Sequence, residues 1–274
     1  MSTFEDGATR TSAVRWLSER VRLILAPNPS PMTLEGTNTY LIGGEDAVIV
    51  LDPGPNDEAH VASVAAAVAG ANVIAVLLTH KHPDHSEAAE RCARMFDTVV
   101  AGDAPAGPND VPVSDGQRFG GDGVFLTAVA TPGHSSDHLC FLLEEERTVF
   151  TGDHILGRGT TVVAHPDGDM GAYLASLRRL QGLSVDRLYP GHGPVVEAPA
   201  AVIAEYIDHR LMRERQVLDG LADGPATPEE LVARIYVDVD PVLHPVAALS
   251  VRAHLTKLMR DGLAVEDGER WRRS

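Results

Sequence analysis

Cysteine is scarce in this sequence. The chain has 274 residues but only two cysteines, Cys92 and Cys140, and each stands within an apolar stretch. Neither belongs to a CxxC pair, which excludes a zinc site built from cysteines. Two isolated thiols in apolar segments are typical of buried cysteines, so we expect no disulfide framework.

Long apolar segments are also missing. No stretch approaches the roughly 20 apolar residues that a membrane-spanning helix needs. The N-terminal segment, MSTFEDGATRTSAVRWLSER, carries Glu5 and Asp6 and lacks the apolar core and cleavage site of a secretory signal. We therefore expect a cytoplasmic protein that makes no membrane contact.

Positive charge is the third shortage. Lysine and arginine number 23 against 39 aspartates and glutamates, which gives a net charge of −16. The acidic excess lies before Asp208, in a segment with 13 basic and 27 acidic residues. From Asp208 onward there are 10 basic and 12 acidic residues. This balance argues against a protein coated for nucleic-acid binding.

The sequence does contain an alternation of strand-like and helix-like segments. Residues 47–51 (AVIVL) and 73–78 (VIAVLL) are apolar runs of strand length, whereas residues 57–69, 87–96 and 171–180 are predicted to be helices. This alternation predicts an α/β fold. Candidate functional residues follow several of the predicted strands, which is where such folds place their sites.

The pattern changes near residue 198. Helical segments dominate from there, and one long helix is predicted over residues 200–221. We place a domain boundary near residue 206. The predicted domains are therefore residues 1–205, which carry the candidate site, and residues 206–274.

The strongest chemical signal is the segment THKHPDH at residues 79–85, directly after an apolar strand. Its potential metal ligands are His80, His82, Asp84 and His85. An extended chain points His80 and His82 to the same side, because side chains alternate with a period of two. Imidazole and carboxylate groups are ligands of zinc and related divalent ions. A lone histidine would more simply be a surface or core residue, but four such groups together predict a metal site.

Three further positions support this site. His134 stands in TPGH, Asp153 in TGD and His192 in GHG, and each follows a predicted strand. Glycine next to a ligand lets the backbone approach a metal closely. Each position alone is a weak signal, but their order along the chain strengthens the prediction.

This order of motifs, THxHxDH, TPGH, GD and GHG, resembles the metallo-β-lactamase superfamily over residues 41–194. The resemblance implies an αββα sandwich. It also implies that His80, His82 and His134 hold one metal, that Asp84, His85 and His192 hold a second, and that Asp153 bridges both. Asp52, in LDPG, matches the first motif of the family and would orient the metal ligands.

Two divalent metal ions imply hydrolytic chemistry. A hydroxide that bridges the ions would act as the nucleophile, and the ions would polarise the scissile bond. We expect zinc, although such ligands also suit manganese or iron. Asp84 and Asp153 are the predicted catalytic residues, and Asp84 would orient the hydroxide or carry its proton.

Two segments indicate a subfamily. Residues 26–43 and the YPGHGPV segment at residues 189–195, followed by a helix with IDHR at residues 207–210, resemble the lactamase-beta-2-like proteins. That subfamily includes an endoribonuclease that acts on single-stranded RNA and thioesterases that release polyketides from carrier proteins.

The C-terminal residues predict two helices and a hairpin. Thr227 and Pro228 are a helix start, residues 246–261 form a second helix, and residues 263–272 form a hairpin around Asp267 and Gly268. This order resembles a winged helix. In a DNA-binding winged helix the second helix would enter the major groove. The second helix of this sequence has few basic residues on one face. We therefore favour a domain that packs on the catalytic domain, residues 1–205, over a domain that binds duplex DNA.

Three functions remain open at this point. We place phosphodiester hydrolysis of single-stranded RNA first. The candidate phosphate ligands are Lys81, Arg158 and three arginines of the predicted hairpin, or wing, Arg270, Arg272 and Arg273. The alternative is hydrolysis of an acyl thioester, for which Asn38 and Tyr40 are candidate substrate contacts. A non-catalytic winged-helix binding module is the third, and the complete ligand set argues against it. The missing export signal argues against β-lactam hydrolysis as the physiological role.

Overall fold

Internal packing divides the chain into two units. The structure is a computed structural model that describes residues 13–103, 110–121, 123–237 and 239–274. One unit comprises Met1–Ala128 with Gly191–Gly193, and the other comprises Val129–Pro190 with Pro194–Ser274. The predicted domains, residues 1–205 and 206–274, remain a prediction.

The first unit is built on a seven-stranded sheet. The strands of this unit are β1 (Arg15–Trp16), β2 (Val21–Leu25), β3 (Asn38–Gly43), β4 (Ala47–Leu51), β5 (Asn72–Leu77), β6 (Val100–Gly102), β7 (Val111–Pro112), β8 (Arg118–Gly121) and the first five residues, 124–128, of β9 (Val124–Ala130). Strands β1 to β7 are neighbours in sequence order, antiparallel from β1 to β4 and parallel from β4 to β7. Strands β8 and β9 form an antiparallel hairpin.

Three helices accompany these strands. They are α1 (Glu58–Ala67), α2 (Pro83–Ser86) and α3 (Ala89–Phe96). The carboxylate of Asp57 caps α1 by accepting a hydrogen bond from the His60 N–H. Strand β4 is buried along its whole length, as expected for a continuous apolar run between parallel and antiparallel neighbours. The α/β alternation predicted from the sequence is therefore present.

The second unit has a smaller set of strands and longer helices. Its elements are β10 (Leu139–Leu143), β11 (Thr148–Gly152), α4 (Met170–Gln181), β12 (Arg187–Pro190), α5 (Pro199–Gly220), α6 (Pro228–Ile235), α7 (His244–Arg260), β13 (Ala264–Asp267) and β14 (Arg270–Arg273). Strand β10 is antiparallel to β11, and β11 is parallel to β12. Buried side chains of α4 and α5 form one core with these strands.

The C-terminal elements form the predicted winged-helix arrangement. Helix α6 begins with a capping box, in which Thr227 and Glu230 exchange side-chain and backbone hydrogen bonds. Strands β13 and β14 pair as a hairpin, and Trp271 of β14 is buried in a core shared with α6 and α7. The helix start at Thr227 and the hairpin predicted from the sequence are therefore present.

Among the described residues, no helix has both the length and the apolar character required to cross a bilayer. The expected cytoplasmic location rests partly on residues 1–12, which lie outside the described residues. That location stays a prediction.

Candidate metal centre

Asp52 anchors the candidate site in the first unit. It directly follows β4, is 2% exposed, and has a φ of 49°, in the left-handed region that non-glycine residues rarely adopt. Its Oδ1 accepts from the Thr79 N–H at 2.8 Å, and its Oδ2 accepts from the Thr79 hydroxyl at 2.8 Å and from His85 Nδ1 at 2.9 Å. Three hydrogen bonds thus hold one buried carboxylate against the segment that follows β5.

His80 and His82 extend from the end of β5. The Thr79 hydroxyl donates to Asp52, so it accepts from His80 Nδ1, which lies 3.0 Å away. This contact leaves a lone pair on His80 Nε2, and that atom lies 2.9 Å from Nδ1 of His82. The two rings meet edge to face with centroids 4.5 Å apart, as the alternation of side chains along an extended segment predicts.

Asp84, His85 and His192 bring three acceptor atoms together. Because His85 Nδ1 donates to Asp52, its Nε2 carries a lone pair. His192 Nδ1 donates to the Gly36 carbonyl at 3.2 Å, so Nε2 of His192 also carries a lone pair. These two nitrogens are 3.3 Å apart, and Asp84 Oδ2 lies 3.2 Å from the second and 3.7 Å from the first. A divalent cation would satisfy all three acceptors at once.

The loop that carries His192 is held by the start of β3. Thr37 forms an antiparallel bridge with His192, and the Asn38 N–H donates to the Gly191 carbonyl at 2.8 Å. The Asn38 side-chain amide donates to the Gly193 carbonyl at 2.9 Å. Asn38 therefore fixes both glycines that flank the histidine.

His134 in the second unit lies on a turn that requires glycine. Gly133 has a φ of 142°, and a Cβ at this position would lie 2.3 Å from Cα of Tyr173. His134 Nδ1 donates to the Val162 carbonyl at 2.7 Å, which leaves the lone pair on Nε2. That nitrogen lies 3.7 Å from Oδ2 of Asp153, so two acceptors face each other here as well.

Asp153 follows β11 and is positioned through its backbone. Its N–H donates to Nε2 of His138 at 3.2 Å, and Nδ1 of His138 bonds to the Thr131 hydroxyl at 2.9 Å. The neighbouring His154 is fully buried, and burial lowers the pKa of its imidazole to about 3. The neutral ring of His154 therefore adds no positive charge beside Asp153.

Each unit thus brings imidazole nitrogens and a carboxylate close together, within 3.2–3.7 Å in the first unit and at 3.7 Å in the second. The first unit brings together His80, His82, Asp84, His85 and His192, and the second brings together His134 and Asp153. Such donor sets suit divalent metal ions and fit a metal centre.

The four predicted substrate contacts occupy different environments. Asn38 and Tyr40 are buried in β3, 3% and 2% exposed, where Tyr40 pairs with Leu51 of β4. Lys81 and Arg158 are exposed on loops. Their roles toward a substrate remain predictions.

Comparison with known proteins agrees with this geometry. The family model described as "Metallo-beta-lactamase superfamily" matches residues 32–102 and 86–192, and the model described as "Beta-lactamase associated winged helix domain" matches residues 227–271. The chain belongs to the metallo-β-lactamase superfamily. Members of this superfamily are generally hydrolases, so the resemblance, the fold class and the enzyme class inferred from the sequence are confirmed.

Individual relatives extend along most of the chain. A protein of Drosophila melanogaster named "Beta-lactamase-like protein 2 homolog" is 36% identical and covers 91% of both chains. The "Atrochrysone carboxyl ACP thioesterase" of Aspergillus fumigatus is 38% identical over 80% of this chain and 74% of its own. A solved metallo-β-lactamase family protein of Thermus thermophilus is 25% identical, with a TM-score of 0.74 over 94% of this chain and all of its own.

Sequence reasoning missed three residues that contact the loops of the candidate ligands His134 and Asp153 in the second unit. His138, Thr161 and Arg210 contact the ligand-bearing loops, but none stands in a ligand motif. His138 lies four positions after His134 of TPGH in the sequence. This closeness in sequence to a candidate ligand was the one available signal for His138.

Proposed function

We propose that this chain is a dinuclear metal-dependent hydrolase of acyl thioesters. The proposed metal ligands are His80, His82 and His134 for one ion, Asp84, His85 and His192 for the other, and Asp153 for both. Zinc is the proposed ion, with manganese or iron as the alternatives that the same donors accept. The support is family membership together with the facing acceptor atoms in each unit.

The chemistry that two divalent ions supply at such a site is polarisation of the scissile carbonyl and a water nucleophile at neutral pH. The protein side chains orient the donors. Asp52 fixes the ring of His85, and the Val162 carbonyl fixes the ring of His134. Asp84 is 30% exposed, so its carboxylate reaches solvent and is our candidate to accept and carry the proton of the attacking water. An Asp84→Asn variant that binds both metals and keeps full activity would contradict this role.

The observation that supports this substrate class is the pairing of positive charge in the C-terminal elements. Five cationic side chains of α7 and β14 form ion pairs with acidic neighbours: Arg252 with Glu266, Lys257 with Glu214, Arg260 with Asp169, Arg270 with Glu230 and Arg273 with Asp219. Cations neutralised in this way offer little to a phosphate backbone. With a net charge of −16, the chain is better suited to a substrate that is not a polyanion.

The name of one relative supports the same substrate class. The Aspergillus fumigatus protein is named as a thioesterase for an acyl carrier protein, and it matches over most of this chain. An acyl thioester presents a carbonyl that a metal can polarise, and its thiolate is a good leaving group. We therefore extend the proposal to thioesters on small molecules or carrier proteins.

Hydrolysis of single-stranded RNA, placed first by the sequence, remains the competing prediction. The ion pairs of Arg270 and Arg273 weaken it, because these are two of the three candidate phosphate contacts on the wing. The third, Arg272, donates to the Arg273 carbonyl. The pairing of Arg252, Lys257 and Arg260 likewise gives no support to duplex DNA as a partner.

A paired assay tests the substrate class. Metal-replete protein and its Asp153→Ala variant are given a panel of acyl thioesters, including S-lactoylglutathione and an acylated carrier protein, and a short single-stranded RNA. We expect thioester hydrolysis by the unmodified protein and its loss in the variant. RNA cleavage that disappears in the variant, without thioester turnover, would replace the thioesterase proposal with the ribonuclease prediction.

A further inference from the structure

Arg210 of α5 lies directly behind the loop that orients His134. Its Nη2 donates to the Thr161 carbonyl at 2.5 Å. The next carbonyl along the chain, that of Val162, accepts from His134 Nδ1 at 2.7 Å, and the Thr161 hydroxyl lies 3.3 Å from the same nitrogen. The guanidinium and the imidazole therefore bind adjacent peptide groups of one loop.

Arg210 also contacts the second support of His134. Its guanidinium lies over the ring of Tyr173, 5.4 Å from the centroid. The backbone of Tyr173 packs against Gly133, immediately before the ligand, and its hydroxyl donates to the His154 carbonyl at 2.6 Å. Arg210 thus contacts both Thr161, in the loop that accepts from His134, and Tyr173, which packs against the residue before His134.

Burial of the Arg210 guanidinium costs free energy. Arg210 is 4% exposed, and within the described part of the chain its Nε has no hydrogen-bond partner. Burial of a charged group with incomplete hydrogen bonding is unfavourable. The contact with Tyr173 offsets part of that cost. A neutral apolar residue would pack here without the cost of a buried charge. Such a residue would not hold the Thr161 carbonyl.

We propose that Arg210 is a positioning residue for the metal ligand His134. By holding Thr161 it fixes the Val162 carbonyl, which in turn fixes the tautomer and orientation of the His134 ring. The inference rests on the proposed role of His134 as a metal ligand. It explains why the segment IDHR at residues 207–210 carries a buried arginine with no reacting group in contact.

Arg213, one turn further along α5, is a matched control. It also lies over a tyrosine ring, 4.4 Å from the centroid of Tyr236, and it also donates to a backbone carbonyl, that of Ile235. That carbonyl belongs to α6 and not to the loop beside His134. The two arginines therefore share a helix and a type of contact but differ in what they hold.

The test is a titration of metal-free protein with Zn²⁺ against a chromophoric chelator, which resolves the affinity of each equivalent. We expect Arg210→Met to weaken one of the two equivalents by about 10-fold, the lower end of the effect of residues that orient ligands. Arg213→Met should bind both as the unmodified protein does. A general loss of structure would weaken both equivalents, so selective loss of one distinguishes positioning from stability.

The proposal is overturned if folded Arg210→Met binds both equivalents normally, or if both variants weaken the same equivalent to the same extent. Should Arg210→Met fail to fold, Arg210→Leu and Arg213→Leu, which also lack a donor, are compared by the same two criteria. An unmodified protein that binds no zinc would contradict the proposed metal centre itself. Two normal equivalents in the unmodified protein and in Arg210→Met would contradict only the role of Arg210.

Discussion

The two units orient their proposed ligands in different ways. In the first unit a buried carboxylate, Asp52, accepts hydrogen bonds from Thr79 and His85 on the ligand-bearing segment itself. In the second unit a backbone carbonyl orients His134, and the His138 ring holds the backbone of Asp153. The first arrangement depends on one ionised side chain, and the second depends on how distant loops and helices pack. Substitutions of the orienting residues should therefore affect mainly metal binding in the first unit. In the second unit they should affect both metal binding and folding.

The largest effect is expected for Asp153→Ala. Loss of the proposed shared ligand removes several kcal/mol of charge stabilisation, and each 1.4 kcal/mol is a factor of ten, so kcat/KM should fall by about 10³. Steady-state turnover of an acyl thioester measures this. Asp167→Ala is the control, because that exposed carboxylate binds the Ser136 hydroxyl. Equal activity of Asp153→Ala and Asp167→Ala would remove Asp153 from the site.

Asp52→Asn should have the next largest effect. An amide in this position offers one acceptor oxygen where the carboxylate offers two, so at least one of the three donors at Thr79 and His85 loses its partner. Metal affinity should fall by about 10–100-fold, as measured by titration of metal-free protein. Asp57→Asn, which can still cap α1, should bind metal normally. Unchanged affinity in Asp52→Asn would show that this carboxylate does not orient a ligand.

The third prediction concerns folding of the second unit. His138→Leu leaves the buried Asp153 N–H without an acceptor, which should lower the free energy of unfolding by about 1–3 kcal/mol. His138→Gln retains a side-chain oxygen and should recover part of this loss. Denaturant unfolding of both metal-free variants gives the comparison. A His138→Leu protein as stable as His138→Gln would mean that this hydrogen bond contributes little.

The smallest effects are expected at the ion pairs of the winged helix. Arg252→Ala and Arg273→Ala break exposed pairs with Glu266 and Asp219, and each should change stability by less than about 1 kcal/mol. Thioester turnover should stay the same in both variants. A large loss of RNA cleavage in Arg273→Ala would instead give this arginine the phosphate contact that the competing prediction assigns to the wing.

Regular elements followed closely from local sequence patterns. The apolar run at residues 47–51 is β4, and the helix predicted over residues 200–221 is α5, Pro199–Gly220. The helix predicted over residues 87–96 is shorter, Ala89–Phe96, and a separate turn of helix, Pro83–Ser86, precedes it. That division was hidden because Pro83 predicts a helix start but not where the first helix ends.

The candidate site was predictable only where its residues lie close together in the sequence. His80, His82, Asp84 and His85 follow one buried strand, so spacing alone grouped them. Arg210 lies 49 positions from Thr161, and no periodicity or motif joins them. Such contacts depend on the packing of α5 against a loop, which local patterns do not encode.

The most direct test of the central claim is the metal content of the purified, metal-replete protein, measured by elemental analysis beside Asp153→Ala. Ligands from both units that hold two ions would give two equivalents per chain, and fewer in the variant. One equivalent or none in the unmodified protein, with no loss in the variant, would contradict a dinuclear centre built from these seven residues.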